Sequence, residues 1–214
     1  MKGDAMSDGT SDGTSDDARL YAPSTGRNRN PILGALQLYL PERGLVLEIA
    51  SGTGEHVSYF ASQSPADLVF QPSDVEAEHR ASIDAWVRGL ELVNVRPAIA
   101  LDAVSDAWPV AQADAVLCIN MSHISPWAAT EGLIRGAART LAPGGFLYLY
   151  GPYRRDGRHT AASNEGFEQW LKSQSPEYGV RDLEAVAALA AAHGFSPPDV
   201  IDMPANNFSV VFRR

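Results

Sequence analysis

Apolar and polar positions alternate along this chain in blocks whose period changes, and the blocks predict a repeating order of strands and helices. Asn30 reads as a helix N-cap and Pro31 as the first helical residue. Ile32, Ala35, Leu36 and Tyr39 follow as one apolar face at helical spacing, and Pro41 ends the run. A strand is predicted over 45–50, a helix over 54–63, a strand near 67–71 and a helix over 76–90, with Ile83, Trp86, Val87 and Leu90 on one face. Strands near 95–101 and 114–120, a helix over 127–141 and a strand over 145–150 come next. That alternation is the pattern of a parallel sheet with helices on both faces.

The end of the chain departs from it. After a helix over 182–193, two strand-like runs near 198–203 and 207–213 are separated only by Pro204, Ala205 and Asn206. No helix fits between them, so they pair as an antiparallel hairpin. The expected sheet therefore has seven strands, mostly parallel, with an antiparallel ending.

Composition narrows the picture. With 214 residues and 45% hydrophobic content there is enough for one α/β domain with a full core. The single cysteine, Cys118, sits in an apolar run and reads as a small buried hydrophobe. One cysteine forms neither an internal disulfide nor a zinc cluster, so a reducing compartment, the cytoplasm, is expected and no metal site is assigned. No apolar stretch has membrane-span length and no secretion signal is visible. Net charge is −9, and residues 1–18 carry five aspartates against one lysine. Ser-Asp-Gly-Thr repeats there, with nothing apolar to bury, so 1–18 reads as a disordered tail and 19–214 as the domain. The rest is mildly acidic without a basic stripe, which argues against nucleic acid as a partner.

The richest stretch runs from Leu45 to Glu55: an apolar strand ending at Glu48, a turn through Ala50, Ser51, Gly52 and Gly54, and a helix start. Glycines let backbone approach a ligand closely, as in nucleotide sites of open α/β sheets. The carboxylate of Glu48 opposes a pyrophosphate but suits an ammonium or a sulfonium. The dinucleotide fingerprint also needs a small residue where Val57 stands, so a nicotinamide-dependent oxidoreductase is disfavoured. The better match is S-adenosylmethionine (SAM). Ala50 stands where glycine is frequent and is tolerable if its φ stays negative. Asp74, 20 residues after Gly54 and at the end of the second strand, is placed to accept from ribose hydroxyls.

Over residues 20–214 the chain resembles the class I SAM-dependent methyltransferases. It is most similar to the methyltransferase-like twenty-six family, long labelled a domain of unknown function. The motifs that carry this are Arg27-Asn28 with Pro31-Ile32-Leu33, Glu48–His56, Pro72-Ser73-Asp74, Asn120–Trp127, Gly151-Pro152-Tyr153, Ser163-Asn164-Glu165, Tyr178–Asp182 and Met203–Asn207. The resemblance implies a Rossmann-like class I methyltransferase fold and SAM as cofactor. It implies that Asp102 meets the adenine amino group and the Ala103 N–H a ring nitrogen; a turn role is the alternative for Asp102. His56 is expected near the cofactor's carboxylate. Leu141-Ala142-Pro143-Gly144-Gly145 also fits this fold.

The acceptor is expected beyond the ends of the fourth and fifth strands. Asn120 ends the fourth strand and is assigned to both the methionine end of SAM and the acceptor. His123 follows in a polar loop and has the pKa of a base near neutrality, with a bond to local backbone as the alternative. Arg27, Asn28, Trp127, Tyr153 and Asn164 are assigned to the acceptor's surroundings, and 151–181 to a cover over the pocket. The function expected is methylation of an unidentified small molecule, with a non-catalytic SAM-binding regulatory protein as the alternative.

Overall fold

The structure is a computed structural model that describes residues 18–214, so the expected tail lies outside the described residues except for Ala18. Its central sheet has six strands in the order β2 (Leu68–Pro72), β1 (Gly44–Ile49), β3 (Ala113–Ile119), β4 (Leu141–Gly151), β9 (Asn207–Arg213), β8 (Asp199–Met203). The first four run parallel; β9 is antiparallel to both β4 and β8. This is the Rossmann-like methyltransferase fold expected from the sequence, including its terminal hairpin.

The segment expected as a further strand, 95–101, flanks β2 through isolated bridges, Phe70 to Val95 and Ser73 to Ile99. Prolines explain the broken ladder, since Pro72 and Pro97 carry no N–H. The Gln71 amide fills the gap by donating to Pro72 O at 3.1 Å and Pro97 O at 2.9 Å.

Helices cover both faces. On one side α1 (Thr25–Leu36), α2 (Glu55–Ser62) and α3 (Ala77–Gly89) pack Ile32, Leu36, Val57, Phe60 and Ile83 against Val46, Phe70 and Leu117. On the other, α4 (Trp127–Thr140) and α6 (Leu183–Ala192) pack Leu133, Ile134 and Val186 against Leu47, Val116, Leu147 and Phe212. Residues alternate faces along each strand, so every central strand feeds both layers. Cys118 is buried and unpaired in this core.

Two boundaries differ from expectation. Helix α1 begins at Thr25, with Ser24 before it and Pro31 inside it, so Asn30 is not its cap. Arg27 and Asn28 consequently lie on the first turns of α1. Residues 153–182 build a small second sheet, β6 (Arg158–His159), β5 (Tyr153–Arg155), β7 (Arg181–Asp182), and helix α5 (Ala162–Gln174). Among the described residues no helix is long and apolar enough to cross a membrane.

Register places the site. Glu48 pairs level with Pro72 and Leu117, Ile119 with Tyr150, and Gly151 with Phe208. The parallel strands therefore end together, and the turn into β9 arrives at the same edge. Chain order reverses between β1 and β3, where open α/β sheets hold ligands.

Candidate cofactor and acceptor site

The turn after β1 is held in a left-handed course at Ala50 (φ 55°), Gly52 (φ 57°) and Gly54 (φ 88°). The tolerance expected for Ala50 at negative φ does not apply: its φ is positive, and it carries the strain that a glycine avoids. Gly54 packs on α3, where an added Cβ would lie 2.7 Å from Ile83 Cα. At Gly52 the same atom would meet nothing within 4 Å, so this backbone faces open space beside the turn.

Glu48 is buried, 2% exposed, at the strand tip. Its Oε2 has no hydrogen-bond partner. Burial raises its pKa to about 7, with a contact to Ser51 opposing and the nearby Asp74 charge adding to the shift. A buried carboxylate oxygen without a partner is costly unless a cation completes it. The orphan oxygen and the open face of Gly52 fit a ligand bearing an ammonium group.

Asp74 is also buried and is keyed to the same turn. Its Oδ2 accepts from Gly52 N–H at 2.9 Å; Oδ1 accepts from Glu76 N–H at 3.0 Å and meets His79 Nδ1 at 3.1 Å. Ser51 N–H donates to Ser73 O at 2.8 Å, and Ser73 Oγ donates to Glu48 O at 2.7 Å. Asp102 is exposed, and its Oδ1 accepts from Val104 N–H at 3.0 Å, an Asx turn. Ala103 is buried against α4, where only a glycine fits: a Cβ on Gly132 would stand 2.3 Å from Ala103 O.

A cavity of about 490 Å³ adjoins the ends of β3 and β4. Ser24 and Asn28 line it from the start of α1, Asn120 and Ile124 from the loop after β3, Tyr150 and Pro152 from the end of β4. Ser163, Asn164 and Phe167 of α5 and residues 205–207 of the hairpin complete it. His56 Nε2 meets Asn28 Oδ1 at 2.9 Å. Burial and the Arg29 charge lower the His56 pKa to about 4, so its ring is neutral at pH 7. Burial raises the Tyr150 pKa, and the neighbouring Asn28 side chain opposes the shift. Asn120 sits at φ 65°, Ala205 and Asn206 at φ 58°. Among the described residues four of the six left-handed non-glycine residues lie at the turn or at this cavity, and Glu91 and Asp156 lie elsewhere.

Several expected acceptor residues lie elsewhere. His123 is 1% exposed, and neither ring nitrogen has a hydrogen-bond partner. Its ring packs at 5.0 Å from Tyr153 and lies so close to Gly151 that a Cβ there would be 2.2 Å from Nε2. Burial first and then the Arg181 charge lower its pKa to about 3. The ring is buried beside the strand ends and does not line the cavity, so its placement gives the general-base assignment no support. Tyr153 is 0% exposed in the same core and does not wall the cavity. Trp127 is half-buried outside it, its Nε1 donating to Glu131 Oε1 at 3.1 Å under the Arg181 guanidinium. Arg27 is exposed on α1 and does not line the cavity. Asn28, Asn120 and Asn164 do line it.

Sequence reasoning left out Ser24, Ile124, Tyr150, Asn206 and Asn207 as site residues, while Phe167 falls in the stretch it assigned to the cover. The one available signal was Asn206-Asn207 directly after a short turn, since asparagine tolerates left-handed backbone. It also left out Arg181, which donates to Ser122 O at 2.8 Å and to Glu177 O at 3.1 Å and so fixes the loop after β3.

The arrangement belongs to an α/β fold whose solved examples include methyltransferases. An O-methyltransferase family protein from Burkholderia thailandensis superposes with TM-score 0.76 at 17% identity, over 89% of this chain and 57% of that one. An O-methyltransferase family 2 protein from Planctomyces limnophilus DSM 3776, in complex with apigenin, gives 0.76 at 18% identity over 94% and 62%. Human N-acetylserotonin methyltransferase in complex with SAM gives 0.72 at 16% identity over 89% and 52%. The chain thus spans less than two thirds of each of these proteins. Residues 19–214 match the family described as "Protein of unknown function (DUF938)", and the chain belongs to that family.

Proposed function

We propose that this protein is a SAM-dependent methyltransferase acting on a small molecule, of the kind found in the methyltransferase-like twenty-six family. The observation that carries the reading is Glu48: a buried carboxylate oxygen without a partner, at the tip of β1 beside the open face of Gly52. An ammonium matches it; a pyrophosphate would be repelled. Asp74 is assigned to the ribose hydroxyls, Asp102 and the Ala103 N–H to adenine. His56 is assigned beside the carboxylate end, where its neutral ring gives its one N–H, at Nε2, to Asn28 Oδ1.

SAM supplies an already activated methyl group, so positioning furnishes most of the rate. No Asp, Glu, Lys, Arg or His lines the adjoining cavity among the described residues. Asn120, Asn28 and Asn164 orient the acceptor there, and a proton it sheds passes to water. Calorimetry with SAM, its demethylated product and NAD tests the assignment. Binding of NAD without SAM would overturn it.

The second reading, a SAM-binding regulator without catalysis, draws on the sealed His123, which leaves the cavity without a base. Turnover of SAM against a metabolite library separates the two. A 490 Å³ cavity at the strand ends favours the enzyme.

A further inference from the structure

We infer that the cavity takes an uncharged, hydroxyl-bearing ring compound as its methyl acceptor, held by the side-chain oxygens of Asn164, Asn206 and Asn207. This deepens the methyltransferase reading and rests on it.

The argument turns on which half of each amide is already used. Asn164 Nδ2 donates to Asn206 O at 3.1 Å and Thr160 Oγ1 at 3.2 Å. Asn207 Nδ2 donates to Pro204 O at 3.0 Å and Ala205 O at 3.3 Å. Asn206 Nδ2 donates to Ser163 Oγ at 3.1 Å. Backbone carbonyls only accept, so the orientation of Asn164 and Asn207 is fixed by their partners. These bonds clasp α5 to the hairpin, and they use both N–H groups of Asn164 and of Asn207 and one of Asn206. The oxygen of each amide accepts no bond from any described residue. Three amides on one wall therefore offer acceptors, and what satisfies an acceptor is an O–H or N–H.

Charge decides between those. Among the described residues no acid lines the cavity to neutralise an ammonium, and a cation would also stand beside the sulfonium of the cofactor. Among the described residues no Lys or Arg lines it to neutralise a carboxylate or phosphate. An uncharged hydroxyl meets neither penalty. Ile124, 48% exposed, with Phe167 and Pro152 gives the lining apolar surface. A ring covers that surface while its hydroxyls meet the asparagines. In the transfer, the hydroxyl oxygen forms the new bond to the methyl carbon. The carbon–sulfur bond breaks with its electrons left on sulfur, and the hydroxyl proton goes to water.

The probes are catechol, benzoate and benzylamine, titrated by calorimetry into the protein saturated with S-adenosylhomocysteine. Catechol is expected to bind at least about tenfold more tightly than either charged probe, and Asn206→Ala and Asn207→Ala to weaken it about three- to tenfold each. S-adenosylhomocysteine affinity should be unchanged in both variants, with melting curves checking their fold. Because the three-probe comparison uses the unaltered protein, it stands even if a variant fails to fold. If S-adenosylhomocysteine binds but a charged probe matches catechol, or none of the three binds, the acceptor assignment is overturned and the cofactor reading survives. If S-adenosylhomocysteine itself does not bind, the cofactor reading falls, and the acceptor assignment with it.

Discussion

The Gly52 N–H donates to Asp74 Oδ2 at 2.9 Å, so the turn after β1 and the acid after β2 move as one unit. Asp74 holds the turn, and in the proposed reading it also receives the ribose. Asp74→Ala removes both, and SAM affinity should fall by about 1–3 kcal/mol. Asp74→Asn keeps one side-chain oxygen and should lose less. Calorimetry on the pair checks this; equal affinity in the unaltered protein and Asp74→Ala would remove Asp74 from the cofactor site.

Glu48 makes the apo protein and the cofactor complex respond to pH in opposite ways. Its folded pKa, about 7, lies above the ordinary carboxylate value of 4.5. The folded state then holds a proton that the unfolded state has released, and the stability this contributes is full below 4.5 and lost as pH rises through 7. The proposed pairing with the SAM ammonium needs the ionised form. Its α-amino group loses its charge at about 7.7–8.0, so affinity should peak between about 7 and 8. Glu48→Gln should stabilise the apo protein above neutral pH and weaken SAM about tenfold or more. Melting curves and titrations across pH read both; a flat affinity profile would break the pairing with an ammonium.

How much was visible beforehand follows from what each feature depends on. The β1 turn, Asp74 and the terminal hairpin were legible because each is local: a strand pattern, a glycine turn, an acid at a fixed spacing. The interrupted edge beside β2 depends on Pro72 and Pro97 meeting across space, which periodicity does not record. His123 misled because a polar loop near the strand ends reads as solvated. Its burial comes from Gly151 and Tyr153, far along the chain, together with a staple from Arg181. The acceptor cavity draws on five separate segments, so only its members inside compact motifs, such as Asn28, Asn120 and Asn164, could be named.

Ala50 offers a stability test with a clear sign. At φ 55° an L-residue with a Cβ is strained by about 1–2 kcal/mol, and glycine is not. Glycine gives back about 0.4–1 kcal/mol through its freer unfolded chain. Ala50→Gly should therefore raise stability by roughly 0.5–1 kcal/mol, by denaturant melts, without lowering SAM affinity. A loss of stability would mean that the Ala50 methyl packs more than it strains.

His123 decides between a base and a buried spacer. Its pKa, lowered to about 3, keeps the ring neutral at every pH where the protein would work. Because the folded value lies below the ordinary 6.5, the stability it contributes is present above 6.5 and lost as pH falls toward 3. His123→Leu removes that proton uptake and two buried nitrogens without partners. It should melt within about 1 kcal/mol of the unaltered protein at pH 7 and resist acid better. A general base, by contrast, is worth roughly 10²–10⁴-fold in turnover. With the acceptor found through the catechol series, His123→Leu should keep its rate and its pH–rate profile. A folded variant that binds SAM normally but has lost turnover on that scale would restore His123 as the base, and would require the loop after β3 to open and bring the ring to the cavity.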